Sequence, residues 1–425
     1  MTPMRVALFT NQFPGRINTF FARDVRGLLD AGVEVEVFAI HPLSAELWPY
    51  VPEVLSPTVF PRTHVHHLGM MDSLRAVTSG VAARTAGDCL AIGASALRFG
   101  PTAFAKSAYV MPKALAWARQ HGQRFDHIVA YWGNYAATCA YLFHRAAGRS
   151  IPFSMFLHAG TDLYRGRVFL EQKLLYADNI FVVCDFNRRF LQQTYPAIFP
   201  RLAPKIHLHH LGLDLDELPF STSPRVANRV IAVGGLHRSK GFDDLLGAAA
   251  LAVAHGHALD LRIVGDGPEG PNLRRLASRL GLSVEFLGWR RFDEVRTEIR
   301  DAALLVHPSP GLGDAVPTVI KEAMALGTPV IASAVAGIPE LLDDGGCGVL
   351  VPPRDQPALA SAIERLIGDD AARARLAQLA RRRAEAMFDQ SRNGRGLAAR
   401  LRETTAARAA DRPLAMPALT GSSCD

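Results

Sequence analysis

The chain has 425 residues, of which 49% are hydrophobic and 20% charged, with a formal net charge of +7. At about 100–200 residues per domain this length calls for two domains, and the hydrophobic share excludes a disordered chain. The cysteines (Cys89, Cys139, Cys184, Cys347, Cys424) are scattered without Cys-x-x-Cys spacing, which argues against a disulfide framework or a zinc site and fits a reducing compartment.

Alternating strand and helix signals run through the first half. Arg5–Asn11 reads as a strand, Ile17–Ala31 as an amphipathic helix and Val33–Ile40 as a strand; His127–Trp132, Pro152–His158 and Asn179–Asp185 are further strands, with helices over Asn134–Ala147 and from near Asp185. Runs such as Val6-Ala-Leu-Phe9 are continuously apolar, as in a parallel sheet buried on both faces. No run approaches the ~18 apolar residues of a membrane span and the N-terminus has no cleavable signal pattern, so a cytoplasmic protein is expected. From Cys89 to Phe125 the chain carries Arg98, Lys106, Lys113, Arg119 and Arg124, no acid, and Phe99, Phe104, Tyr109 and Trp117. Such a stretch fits either a helix pair covering the sheet or peripheral contact with an anionic membrane.

The second half repeats the alternation, with strands at Arg229–Val233, Leu261–Val264, Val284–Leu287, Leu304–Pro308, Val330–Ser333 and Val349–Val351. Helix starts are expected at Asp293, at Pro317 as first helical residue, and at Asp355. The Pro- and Ser-rich stretch Asp216–Asn228 reads as a linker. The expected organisation is an N-terminal domain (1–214), a linker (215–228), a C-terminal domain (229–388), and a C-terminal helix with a frayed tail (389–425). Two doubly wound sheets would pool the carboxyl ends of their strands in one cleft.

Two loops there carry chemistry. In Val233-Gly-Gly-Leu-His-Arg-Ser-Lys-Gly241, Gly234 and Gly235 let the backbone approach an anion, Lys240 adds a charge and the next helix offers free amides; the Walker order is absent. In Leu304–Val330 a Gly/Pro loop carrying Asp314 leads into a helix with Glu322 on its second turn, where one carboxylate suits sugar hydroxyls and the other a ribose. Asp214-Leu-Asp216 spells a metal motif but lies at the linker. The trios His64/His66/His67 and His207/His209/His210 alternate faces and read as solvated strand ends rather than metal ligands. Gly265-Asp-Gly-Pro-Glu-Gly270 with Glu285 matches a dinucleotide fingerprint, but Glu285 falls at the start of its strand, where a ribose-binding acid does not belong. No nucleic-acid signature accompanies the basic charge.

The ordered series Gly234/Gly235…Lys240/Gly241, Val264-Gly-Asp-Gly-Pro-Glu269, Val284-Glu-Phe-Leu-Gly-Trp289, Asp314-x7-Glu322, Gly337-Ile-Pro-Glu340 and Gly348-Val-Leu-Val-Pro-Pro resembles the C-terminal domain of retaining glycosyltransferase family 4. Within that family, Phe13-Pro-Gly-Arg-Ile-Asn-Thr-Phe-Phe21, Asn134-Tyr-Ala-Ala-Thr138 and Pro152–Asp162 are similar to the colanic acid and exopolysaccharide enzymes. The resemblance implies an α/β GT-B fold of two Rossmann-like domains. It implies transfer of a sugar from a UDP- or GDP-linked donor to a glycan or lipid-linked acceptor, with retention of configuration, no metal and no cofactor. Carried onto this sequence, His158, Lys240 and Asp314 would be catalytic. Gly15, Gly234, Gly235, Arg238, Lys240, Asp314, Val316, Pro317, Thr318 and Glu322 would bind the donor. The enzyme would work in the cytoplasm or peripherally at the inner face of the membrane. Two departures stand out: Gly235 replaces the family's phosphate-binding Arg, with Arg238 as a substitute three residues on, and Asp314 replaces a Glu. They motivate two other readings: a GT-B protein that binds nucleotide-sugar without turnover, and, from the fingerprint, an NAD-dependent oxidoreductase.

Overall fold

The computed structural model describes residues 3–13, 19–41, 63–69, 73, 83–148 and 150–410. Two all-parallel sheets form. The first comprises β1 (Arg5–Gln12), β2 (Glu34–His41), β3 (His64–His66), β4 (His127–Ala130), β5 (Phe153–Leu157), β6 (Asn179–Val182) and β7 (Ile206–Leu208), in the order β3-β2-β1-β4-β5-β6-β7. The second comprises β8 (Val226–Val233), β9 (Asp260–Val264), β10 (Val284–Gly288), β11 (Ala302–His307), β12 (Val330–Ser333) and β13 (Val349–Val351), in the order β10-β9-β8-β11-β12-β13. In each sheet the chain adds three strands toward one edge and then crosses back to the other side of the first of them, between β1 and β4 and between β8 and β11, the doubly wound topology expected from alternating βα units.

The continuous apolar strands sort by the two-residue period of a pleat. Ala7, Phe9, Ile128, Ala130, Phe153 and Met155 enter one core layer, whereas Val6, Leu8, Val129 and Phe156 enter the opposite one. The second sheet divides likewise, with Val230, Ala232, Leu304 and Val306 on one face and Ile231 and Leu305 on the other. The middle residues of the central strands are therefore continuously apolar, as in Val6–Phe9 and Leu304–Val306, because both faces are covered.

The acid-free stretch forms the helices Ala86–Leu97 and Pro101–His121. Lys113 and Trp117 are buried in the first core, the Lys113 amine donating to the Ile40 (2.6 Å) and Leu68 (3.1 Å) carbonyls, and Arg124 pairs with Glu36 at 2.9 Å. What faces outward is a smaller patch, Leu90, Leu97, Phe99 and Phe104 with Arg98 and Lys106. Among the described residues no helix is long and apolar enough to cross a membrane.

Several local expectations shift. Val226–Asn228 belong to β8 rather than to the linker, whose end is anchored by Arg225 to the Thr328 hydroxyl (2.8 Å) and the Leu326 carbonyl (3.0 Å). Pro317 is the residue before the helix Thr318–Leu326 rather than its first residue. The helix expected to start at Asp293 runs from Phe292, while Asp355 caps its helix, accepting from the Ala358 amide at 2.9 Å. The chain does not fray at Thr404. The helix Gln390–Ala410 returns to the first domain and packs Leu397, Ala398 and Leu401 against Val25 and Leu28. Its contact with the helix Thr19–Asp30 is backbone-close, since a methyl on Gly27 would lie 2.8 Å from the Gly394 Cα. Thr404 and Thr405 bond Asn179 and His127, each at 2.9 Å. Residues 411–425, with Cys424, lie outside the described residues.

Of the histidine trios, His64 and His67 are exposed as expected, whereas His66 and His209 are held by acids. His209 is buried against Asp24 (3.1 Å), whose carboxylate also accepts from the Tyr131 hydroxyl at 2.6 Å, and His66 bonds Glu36 at 2.7 Å. Asp214 is engaged by Arg26 at 3.0 Å.

Candidate active site

The loops after β8, β9 and β11 interlock around one spot. Gly241, at φ +67°, has no room for a side chain, because a Cβ would overlap the Pro308 carbonyl; Gly265, at φ +136°, likewise leaves none against the Gly234 carbonyl. These two glycines bring the Gly234–Gly241 loop, the Gly265–Gly270 turn and the 308–314 loop into backbone contact. Lys240 closes the short 3-10 turn Arg238–Lys240 and points its amine at the Asp314 carboxylate, forming an ion pair. Below it His307 is buried and bonds Ser309 at 3.0 Å; burial, and then the Lys240 charge, lower its pKa to about 4, so it is neutral at ordinary pH.

After Asp314, Ala315 packs into the first domain's core and Val316 touches the cores of both domains. Pro317 and Thr318 then open the helix Thr318–Leu326, whose first amides have no partner within the helix. Glu322 on its second turn meets Arg23 of the first domain, guanidinium to carboxylate, at 3.6 Å. Lys321 beside it is buried, donating to the Leu211 carbonyl at 2.8 Å; burial, and then the Arg23 charge, lower its pKa to about 7.

From the first sheet, β5 delivers His158. Its backbone amide donates to Asp162 (2.8 Å), and Asn187 donates to its carbonyl (2.7 Å). The imidazole sits among aromatic rings, 4.5 Å from Trp132, 4.9 Å from Tyr131 and 5.6 Å from Phe20. Its Nδ1 approaches Asp162 at 3.4 Å, whereas its Nε2 is buried without a partner. Lys173 fixes the neighbouring turn by donating to the carbonyls of Gly133 (2.8 Å) and Asn134 (3.1 Å).

The structure thus gathers Gly234, Gly235, Lys240, Asp314, Val316, Pro317, Thr318 and Glu322 on one rim and places His158 on the other, while Gly15 lies outside the described residues. Arg238 does not join them. It is 87% exposed, pairs with Glu269 at 3.2 Å and lines an outer groove with Arg275 and Arg354. A side chain at Gly235 would press on the His237 ring, 3.0 Å from its Cβ. Glu285, the second residue of β10, pairs with Arg262 at 3.1 Å, away from the carboxyl end of its strand. Glu340 caps a helix, though one in the other domain, accepting from the Asp185 (2.8 Å) and Phe186 (3.3 Å) amides at the start of Asp185–Thr194. Arg23 stands in no motif of the sequence and was not expected in the cleft. The available signal was Asp24 next to it, an acid on the apolar stripe of Phe21, Val25 and Leu28, where a charge requires buried partners. Among the described residues no cluster of three His, Cys, Asp or Glu side chains suits a metal ion.

Residues 227–369 match the family Glycosyl transferases group 1. The chain is 34% identical over 297 residues to a D-inositol 3-phosphate glycosyltransferase of Corynebacterium urealyticum, covering 63% of this chain and 69% of that protein. It is 25% identical to the amylovoran biosynthesis glycosyltransferase AmsK of Erwinia amylovora over 91% of this chain and 96% of that one. Of three other curated relatives it spans less than half, namely 20%, 45% and 41% of their lengths. The fold superposes on Anabaena Alr3699/HepE in complex with UDP-glucose with a TM-score of 0.69, at 18% identity, covering 94% of this chain and all of that one. With its two interlocked parallel-sheet domains and a matched C-terminal domain, the chain belongs to the group 1 glycosyltransferases.

Proposed function

We propose that this protein transfers a sugar from a nucleotide diphosphate-sugar to an acceptor with retention of configuration and without a metal. The observation that carries the reading is the Lys240–Asp314 ion pair between the glycine loop and the helix Thr318–Leu326. In the ligand-free cleft each charge neutralises the other. A donor separates them: Lys240 turns to the diphosphate with the amides around Pro317 and Thr318, and Asp314 takes sugar hydroxyls. Glu322 takes the ribose. A diphosphate held by a fixed cation and helix amides is a stabilised leaving group, and pre-aimed charge of this kind is usually what lowers a reaction barrier most.

Among the described residues no pair of carboxylates in the cleft is placed as nucleophile and acid. The bond from the anomeric carbon to the diphosphate oxygen breaks, the acceptor oxygen bonds that carbon on the same face, and the acceptor's proton passes to the departing diphosphate. His158, with its free Nε2, contacts the donor sugar beside the reacting carbon. UDP or GDP serves as the nucleotide; the structural neighbour named above was crystallised with UDP-glucose.

The acceptor in this reading is a glycan or a lipid-linked saccharide met at the cytoplasmic face of the membrane. The exposed Leu90, Leu97, Phe99 and Phe104 beside Arg98 and Lys106 support it, because apolar tips inserted between headgroups and basic residues at about 1 kcal/mol each give reversible binding. Anionic liposomes should float the protein at low salt and release it at high salt, and failure to float would point to a soluble acceptor.

Loss of the side chain at Gly235, with Arg238 turned outward, favours a second reading, a nucleotide-sugar-binding protein without turnover. Release of free nucleotide from UDP- or GDP-sugars decides between them. Binding measured by thermal shift, with no nucleotide released in the presence of any glycan acceptor, would overturn the transferase.

A further inference from the structure

A donor diphosphate carries a negative charge on each phosphate, yet among the described residues the cradle supplies a single side-chain cation, Lys240, itself shared with Asp314. Arg238 turns outward and position 235 has no side chain. Across the cleft, Arg23 extends from the helix Thr19–Asp30 of the first domain to Glu322, with only 12% of its side chain exposed. Its pairing is incomplete. The single approach to Glu322 is long, at 3.6 Å, and Nη1 is buried without a hydrogen-bond partner. The adjacent Asp24 carboxylate is committed to His209 and Tyr131. A guanidinium held out of water with an unused N–H is costly unless a ligand completes it, because a buried donor without a partner forfeits its hydration. Its planar fork matches a phosphate better than any other side chain does.

We propose that Arg23 is the second cation on the donor diphosphate, supplied from the opposite domain. This rests on the reading of the cleft as a nucleotide diphosphate-sugar site. When the ribose hydroxyls engage Glu322, the guanidinium is released from its loose pair and Nη1 meets a phosphate oxygen. The diphosphate then bridges Lys240 of one domain and Arg23 of the other, so donor binding itself holds the two sheets together.

The experiment compares UDP and GDP with uridine and guanosine on the full chain, by calorimetry for the diphosphates and saturation-transfer NMR for the nucleosides. R23Q should weaken diphosphate binding at least tenfold and leave nucleoside binding within twofold, and R23K should recover most of the loss. Circular dichroism verifies each fold, and R23K serves against wild type should R23Q not fold. Equal losses for nucleoside and diphosphate would overturn the proposal, because Arg23 would then only orient Glu322, and unchanged diphosphate affinity would overturn it as well. Wild-type protein that binds neither UDP nor GDP would instead sink the donor reading itself.

Discussion

The two rims of the cleft are built from different materials. On the C-terminal rim Lys240 and Asp314 are charged, 22% and 39% exposed, and satisfied by each other. On the N-terminal rim His158 is buried in a box of Phe20, Tyr131 and Trp132, with its backbone pinned by Asp162 and Asn187. Charge in a wet loop is exchangeable and must be handed to a ligand, whereas a polar atom in an aromatic wall is already desolvated and fixed. In the proposed reading the first rim grips the donor and the second presents a dry, shaped surface to the reacting sugar. Water excluded on one side strengthens every interaction made from the other.

The sharpest way to break this division is to remove the grip. Lys240→Ala should lower kcat/KM by about 10²-fold or more, as expected for losing a fixed leaving-group contact. An unchanged value with a verified donor would remove Lys240 from the diphosphate.

His158→Ala, on the dry rim, should cost about tenfold in kcat while leaving calorimetric affinity for free nucleotide unchanged, if, as proposed, the ring meets the sugar and not the nucleotide. A comparable fall in nucleotide affinity would erase the contrast between the rims. Within the wet rim, Asp314→Ala should weaken binding of intact donor but spare the free nucleotide, and Glu322→Ala should weaken both by about tenfold, the loss of one charged hydrogen bond of about 1.5 kcal/mol. Equal effects of the two substitutions would show that they share one ligand group.

Two smaller effects test the joint between the rims. Glu340→Ala removes the carboxylate that caps the helix Asp185–Thr194 across the domains, a loss of about 1 kcal/mol that should lower Tm by about 2 °C. Lys321→Met should change how stability responds to pH. Burial lowers the Lys321 pKa to about 7, so between pH 7 and the unfolded value near 10.5 the unfolded chain binds the extra proton and wild-type stability rises with pH. Below pH 7 both states are protonated and the full penalty is present. Wild type minus variant, compared by urea unfolding at pH 7 and pH 10, should therefore grow toward the alkaline end; a flat difference would place the amine in water.

The strands were legible because each needs only its own residues: a parallel strand covered on both faces is apolar throughout, and β5, β11 and β12 follow that rule to within a few residues. The glycine loop and Asp314-x7-Glu322 were legible for a related reason, being local strings whose chemistry follows from spacing. Buried polar partnerships were not. Asp24 finds His209 at a separation of 185 residues, and Glu340 finds Asp185 at 155. Neither pairing leaves a periodic trace in the chain. Nothing in the sequence marks Lys113, Lys173 and Lys321 as interior, yet their amines end on buried backbone carbonyls. Only the tertiary fold decides that.

The return of the helix Gln390–Ala410 to the first domain has a consequence for how the molecule is made. The helix Thr19–Asp30 has an apolar face that Leu397, Ala398 and Leu401 cover. On the ribosome that face must wait until the helix Gln390–Ala410 has been made. At about 5–20 residues per second the delay between the two helices is roughly 20–70 s. During that interval the first domain carries an uncovered apolar groove, and the chaperone that first meets the nascent chain should meet it there. The helix Gln390–Ala410 therefore completes, in folding order, a surface laid down by Thr19–Asp30.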